Sequence, residues 1–211
     1  MRLDFEMNKI NYQRILDDII RTIDAENRRP RLLLHACCAP CSSYVIEYLS
    51  RYFDITLYFY NPNISPESEY AFRADELIRL TEEMPLGVDI PVIVEKYNSD
   101  EFYNIVMGME DQPEGGSRCH SCYRLRLEKS AEYAKLNGFD YFTTTLSISP
   151  YKNSTWLNEI GVELAREHMV EYLISDFKKK NGYKRSCELS EEYGLYRQDY
   201  CGCEFSKRAR F

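Results

Sequence analysis

The chain has 211 residues, 44% hydrophobic and 29% charged, an ordinary globular composition that suits one α/β domain with a small appendage. A net charge of −7 and a pI near 5.2 argue against strong non-specific binding of nucleic acid, which is driven by neutralisation of phosphates. No apolar run approaches membrane-spanning length, and the polar start over Met1–Asn8 lacks the apolar core of a secretory signal. We therefore expect a cytoplasmic protein with no membrane partner, in which eight cysteines serve metal binding or redox chemistry rather than structural disulfides.

Taken in order, residues 8–27 place Ile10, Ile15, Ile19, Ile20 and Ile23 near helical spacing, and Arg28-Arg29-Pro30 ends that helix. Residues 32–36 read as a buried strand. The cysteine loop follows, with Ser42 and Ser43 as caps of a helix that runs to Phe53. Residues 55–60 are a second strand, rich in β-branched and aromatic side chains. Ser65-Pro66-Glu67 opens a helix to about Met84, residues 91–97 form a third strand, and Ser99 and Asp100 cap a short helix ending near Gly108. After a Pro- and Gly-containing loop, a helix begins at Cys119 and stops at Gly138. Residues 141–146 and 170–174 are the fourth and fifth strands, flanking a helix over residues 153–169. Residues 176–185 are polar and basic, a short helix lies around residues 190–193, and the tail carries Tyr200-Cys201-Gly202-Cys203. Alternating strands and helices predict a parallel sheet with right-handed crossovers. Residues 1–30 read as a helical extension and residues 31–211 as a single α/β catalytic domain.

The chemistry concentrates in cysteine. The stretch from Leu32 to Ser43 is an apolar strand, then His35-Ala36-Cys37-Cys38-Ala39-Pro40-Cys41, at the strand end where open α/β sheets bind ligands. Adjacent cysteines meet disulfide geometry poorly but can both point at one metal cluster. Cys119 and Cys122 sit three apart at a helix start, where the dipole favours thiolate. Alone that pair reads as a thioredoxin-like dithiol, half a zinc site or half an iron–sulfur site. With Cys37 and Cys38 it makes four thiolates on two loops that can converge, a set that fits zinc or an iron–sulfur cluster. Cys201 and Cys203 are separated by one residue, so a disulfide between them is strained and labile, with two free thiols or two further ligands as the alternatives. Cys187 reads as a buried small hydrophobe and His35 as a hydrogen-bonded core group.

These stretches carry a resemblance. His35-Ala36-Cys37-Cys38-Ala39-Pro40-Cys41, Arg118-Cys119-His120-Ser121-Cys122-Tyr123-Arg124-Leu125-Arg126, Ser149-Pro150-Tyr151-Lys152, Asp176-Phe177-Lys178-Lys179 and Asp199-Tyr200-Cys201-Gly202-Cys203 follow one another as in the QueH-type epoxyqueuosine reductases, which make the tRNA nucleoside queuosine. The resemblance implies a four-iron, four-sulfur ([4Fe-4S]) cluster on Cys37, Cys38, Cys119 and Cys122 and a redox-active pair at Cys201 and Cys203. An additional iron near the cluster is associated with that family, and Cys41 is the residue we expect nearby. It implies a Rossmann-like three-layer fold of the HUP, adenine-nucleotide-hydrolase-like type, shared with tRNA-thiolating ATPases. Those carry a glycine-rich phosphate loop after the first strand. Here Cys37-Cys38-Ala39-Pro40-Cys41 has no glycine and a Pro without an N–H, so the cluster takes the nucleotide's place.

The expected reaction reduces epoxyqueuosine at the tRNA wobble position to an alkene, with electrons from a donor the sequence does not name. Its acid is a second iron or a protonated Tyr151, Lys152 or Asp176. A zinc-stapled RNA-binding module and an ATP-dependent tRNA thiolase are the rival readings. Residues 1–110 hold 11 basic and 19 acidic side chains, residues 111–211 hold 16 and 15, so Lys178, Lys179, Lys180, Lys184, Arg185, Lys207, Arg208 and Arg210 can offer a local basic face to the anticodon loop, alongside some of the 18 tyrosines.

Overall fold

The computed structural model describes residues 10–208; the segment Met1–Asn8 and the cation Arg210 lie outside the described residues. Five strands, β1 (Arg31–His35), β2 (Asp54–Phe59), β3 (Val92–Val94), β4 (Tyr141–Thr144) and β5 (Glu171–Tyr172), form one all-parallel sheet in the order β3-β2-β1-β4-β5. That order is the doubly wound, Rossmann-like one, and it reverses direction at β1. The central strand β1 is the most apolar because both its faces are covered. Leu32 and Leu34 point into one core with Ile55, Leu57 and Phe59; Leu33 points into the other with Tyr58 and Phe142.

Helices α1 (Tyr12–Ala25), α2 (Ala39–Leu49) and α3 (Glu67–Glu83) contribute to the first core, α5 (Ser117–Leu136) and α6 (Ser154–His168) to the second. Leu16, Ile20 and Ile23 of α1 are buried in the same cluster as α2 and the sheet, so the N-terminal helix is packed onto the domain rather than held apart. The short helix α4 (Asp100–Val106) joins a third, small cluster of Phe102, Val106, Cys122, Cys203 and Phe205, through which the tail helix α8 (Glu204–Arg208) is anchored. No described helix is long and apolar enough to cross a membrane.

The third and fifth strands are shorter than the sequence reading, and the helix after β1 ends at Leu49 rather than Phe53; three further differences have local reasons. The helix after β1 begins at Ala39, not at Ser42: Pro40 fits a first turn, where its missing N–H is not needed, and the Ser42 hydroxyl donates to the Cys38 carbonyl from inside the helix at 2.8 Å. The fourth strand stops at Thr144 and tightens into a 3₁₀ turn over Thr145–Ile148, because the Thr144 hydroxyl accepts from the Leu146 N–H. The polar segment before the tail is a full helix, α7 (Gly182–Glu192), docked on α2. Its start needs glycine, since a Cβ at Gly182 would lie 2.0 Å from the Phe177 carbonyl oxygen. Four of the eight cations of the expected basic face are met by the chain's own carboxylates, and the side chain of Arg208, like Arg210, lies outside the described residues. Lys178 pairs with Asp176 and Lys180 with Asp17, each at 2.7 Å; Arg185 pairs with Glu47 at 2.6 Å, and Lys184 lies 3.8 Å from Glu188.

Candidate active site

The reversal of strand order leaves a crevice between the ends of β1 and β4, and the chemistry gathers there. Two buried struts set its floor. His35 bonds the Thr144 hydroxyl through Nδ1 at 2.8 Å and the Tyr60 carbonyl through Nε2 at 3.1 Å. Burial, then the charge of Arg126, pushes its pKa down to about 4, so the neutral ring ties β1 to β4 as a core group. Asn61 donates to the Ala36 carbonyl at 2.9 Å and fixes the start of the cysteine loop.

Above this floor the sulfurs of Cys37, Cys38 and Cys41 lie within 4.8 Å of one another. Cys37 and Cys38 are 3.7 Å apart, and the Cys37 N–H is donated to the Thr145 hydroxyl after β4. Hydrogen bonds from Cys37 and Cys41, together with the nearby Arg73 charge, hold the Cys38 thiol well below its ordinary pKa. Contact with Cys38 pushes Cys37 up to about 11. The early start of α2 brings Cys41 into this group, one helical turn from the N-cap residue Cys38.

Cys119 and Cys122 are both buried in the first two turns of α5. The Gly115 N–H donates to the Cys119 sulfur at 3.3 Å, and burial pushes the Cys122 thiol up to about 11. They do not join the three-sulfur group at 4.8 Å, although Cys37 packs against the core cluster that holds Cys119. One turn further along the same helix face stands Arg126. It is wholly buried, donates from Nε to the Cys122 carbonyl and from Nη1 to Asn61, and leaves Nη2 with no hydrogen-bond partner among the described residues. Its charge is felt by Cys122, Cys201 and Cys37. Sequence reading passed over it, yet Cys119, Cys122 and Arg126 are spaced i, i+3, i+7, which places them on one face of a helix.

The tail folds back over this group. The Gly202 carbonyl accepts from the Ser65 N–H at 3.0 Å, Arg73 stacks over Tyr200, and Cys201 lines a cavity of about 290 Å³ together with Cys37, Cys38 and Cys41. The cysteine pair is unequal. Cys201 is half-buried at the cavity wall, whereas Cys203 is buried among Phe102, Val106 and Phe205. The hydrogen bond from Cys203, then the charges of Lys152 and Arg126, hold Cys201 well below the ordinary thiol range against the opposing effect of burial. The same contact raises Cys203.

Of the three side chains considered as acids, Lys152 alone is both buried and in contact with the pair. Its ammonium is 3.1 Å from the Cys201 sulfur and 3.5 Å from Glu114, with the side chain 8% exposed. Burial favours the neutral amine, but the Cys201 charge, then Tyr123 and Glu114, outweigh it and raise the Lys152 pKa. Glu114 reaches Lys152 from a loop that the Arg118 guanidinium holds by the carbonyls of Met109, Glu110 and Gln112. Tyr151 is 74% exposed at the cavity rim. Asp176 is engaged by Lys178 and does not line the cavity. Cys187 is half-buried on α7, outside the cavity lining.

Comparison with known proteins gives one answer. The family model described as epoxyqueuosine reductase QueH matches residues 32–209. The chain is 44% identical over 202 residues to the epoxyqueuosine reductase QueH of Streptococcus pyogenes serotype M1, covering 95% of this chain and 79% of that protein. It is 42% identical over 202 residues to the one from Staphylococcus epidermidis (94% and 85% covered) and 35% identical over 178 residues to the one from Thermotoga maritima (83% and 89% covered). A match that runs from β1 through the tail takes in every segment that lines the cysteine cavity, and the chain belongs to the epoxyqueuosine reductase QueH family.

Proposed function

We propose that this protein reduces the epoxide of epoxyqueuosine, at the wobble position of a tRNA anticodon in the cytoplasm, to the alkene of queuosine. The observation that carries the reading, beside family membership, is the convergence of Cys37, Cys38, Cys41, Cys201 and the buried Lys152 on one cavity at the strand reversal. The residues suit a [4Fe-4S] cluster held by Cys37, Cys38, Cys119 and Cys122. Cys37 and Cys38 sit on the loop after β1, Cys119 and Cys122 in the first turns of α5, and Cys37 packs against the cluster that holds Cys119; Arg126, with a buried donor unpartnered among the described residues, is the cation that such a set of thiolates calls for. Cys41 then remains for the additional iron. When bound, the cluster supplies single-electron transfer to the substrate.

The chain's own residues account for the rest of the balance. Converting an epoxide to an alkene and water consumes two electrons and two protons. Oxidation of the Cys201 thiolate and Cys203 thiol to a disulfide releases two electrons and the Cys203 proton, and Lys152 holds the second proton, so the three groups together match one turnover, and a donor outside the chain restores them with two electrons and two protons. Lys152 ties proton to electron. While Cys201 is a thiolate, its charge holds the proton on Lys152. Once that charge is lost on oxidation, the ammonium becomes a better acid and can protonate the leaving oxygen. Burial of Lys152 keeps this exchange out of bulk water.

The test is the colour and metal content of anaerobically purified protein. Brown protein holding iron and sulfide, with iron lost in Cys38→Ser and Cys122→Ser, and ATP-independent conversion of epoxyqueuosine in tRNA are expected. Colourless protein holding stoichiometric zinc overturns the reading.

A further inference from the structure

The cavity is small and its mouth is aromatic. At about 290 Å³ it stands at the lower end of ligand pockets, roughly 300–1,000 Å³. With the proposed cluster and iron along its cysteine wall it has room for one nucleobase at most, and none for an anticodon loop. An enzyme that acts on one base in a loop draws that nucleotide out of its stack, and the unstacked neighbours need a new surface. Two of the large exposed side chains in the protein lie on the cavity lining, Tyr151 at 74% and Tyr183 at 38% exposure.

Tyr151 is presented rather than loose. Its N–H is donated to the Ser149 hydroxyl at 3.3 Å, and the next residue is anchored through Lys152 to Cys201. Two residues on, the Asn153 side chain caps α6 by accepting from Thr155 and Trp156. A fixed backbone therefore holds a large ring in solvent at the entrance, where apolar exposure costs free energy unless something covers it. Tyr183 enters from the first turn of α7, with the Arg197 guanidinium 5.9 Å over its ring and held there by the Ser190 hydroxyl at 3.0 Å. The lining is also basic within an acidic chain: Arg73, Arg126, Lys152 and Arg197 stand against Glu114 and Asp199, while the whole chain carries −7.

We infer that the rim formed by Tyr151, Tyr183 and Arg197 is a stacking platform for the anticodon nucleotides that flank the wobble position, with only the wobble nucleoside entering the cavity. The inference rests on the proposed tRNA substrate. Single-stranded RNA is held by base stacking on aromatic and guanidinium planes. Stacking carries the affinity here, because the lysines and arginine of the tract after β5 are mostly spent on Asp176, Asp17 and Glu47 and few cations remain there for phosphates. A rim serving a protein electron donor is the competing occupant.

The experiment measures binding of an anticodon stem-loop RNA carrying epoxyqueuosine to the intact protein, by fluorescence anisotropy across a salt series. Tyr151→Ala is expected to weaken binding about 5- to 150-fold, the range measured for one lost base–aromatic stack. Tyr151→Phe is expected to stay within about twofold. The double reversal Lys179→Glu, Lys184→Glu is expected to matter less than Tyr151→Ala, and the salt slope to be shallow. Melting curves check that each variant is folded. Two results overturn the platform: unchanged RNA affinity in Tyr151→Ala, which with loss of donor-dependent turnover alone assigns the rim to the electron donor, or a Phe variant as weak as the Ala variant. Failure of the wild-type protein to bind the RNA at all overturns the proposed function itself, and is distinguished from these two by that first measurement.

Discussion

Gly202 decides whether the tail stays over the cavity, and Gly202→Ala separates tail closure from global stability. The residue has φ +111°, well outside the left-handed well that asparagine or aspartate occasionally visit, and its carbonyl accepts from the Ser65 N–H at 3.0 Å. A Cβ added there would lie 3.0 Å from Ile64 Cγ1 and 3.1 Å from Arg73 Nη1, so both side chains must shift by a few tenths of an ångström. A backbone forced into such a region costs on the order of 1–3 kcal/mol. The strain falls on a segment outside the sheet, held by the Ser65 contact and the small Phe102 cluster, so it is relieved by lifting that segment rather than by unfolding the sheet. Lifting exposes Cys203, which is otherwise buried beside Phe102 and Val106. If opening is fast compared with labelling, the rate of Cys203 alkylation reports the open fraction and should rise about 5- to 150-fold. The assay is peptide mass spectrometry after timed iodoacetamide treatment, with a melting curve on the same sample that should move by a few degrees at most. A Cys203 labelling rate within twofold of wild type would refute the claim that backbone geometry at Gly202 holds the tail down.

Two further outcomes test the unequal cysteine pair. Lys152→Met removes the ammonium 3.1 Å from Cys201 and should slow alkylation of Cys201 at neutral pH about tenfold. That is the order expected when a thiolate loses a charged hydrogen bond worth roughly 1.5–3 kcal/mol and regains part of the rate through higher basicity; an unchanged rate removes Lys152 from the mechanism. Cys201→Ser and Cys203→Ser should each cut multiple-turnover reduction sharply while iron content and melting temperature stay near wild type, and loss of iron in either variant would make that residue a ligand instead.

The sheet was legible because its signal is local. Leu32-Leu33-Leu34, a short apolar run between Pro30 and the cysteine loop, reads as a strand covered on both faces, and each later strand is announced by a turn or cap. Helix α7 was legible only in fragments because the face it buries is polar. Ser186 and Ser190 are buried beside Leu189 and bond backwards along the helix, while Arg185 reaches across to Glu47, so hydrophobic periodicity sees only a basic tract. The cysteine pairs could be read from spacing, since each pair is set by one loop or one helical turn. The Lys152–Cys201 contact could not. The two residues are 49 positions apart and meet only because the turn after β4 and the returning tail close over the same crevice. Arg126 lies between these cases. Its spacing from Cys119 and Cys122 marks the helix face, but its burial, and a donor without a partner among the described residues, exist only once α5 is packed.

The strand order explains why sulfur chemistry occupies this particular crevice. In doubly wound sheets the ligand sits where the order reverses, and a nucleotide is held there by backbone N–H groups of a glycine-rich loop opening a helix. Here the reversal at β1 is kept but the glycine-rich loop is not, and several of its donors are missing or spent. Pro40 has no N–H, the Cys37 N–H is spent on Thr145, and the Ser42 N–H is spent on the Cys38 carbonyl. What the loop offers instead is three thiols within 4.8 Å, with Arg73 beside Cys38 and Arg126 within reach of Cys37. The cations that would face a phosphate in a nucleotide site face sulfur in this one. A loop of this kind suits a metal–sulfur group, and under the proposed function the neighbouring segments have matching uses. The turn after β4 would then supply Lys152 for protons and the tail Cys201 and Cys203 for electrons, while the exposed tyrosines on the cavity lining would meet an RNA of which the cavity takes one base.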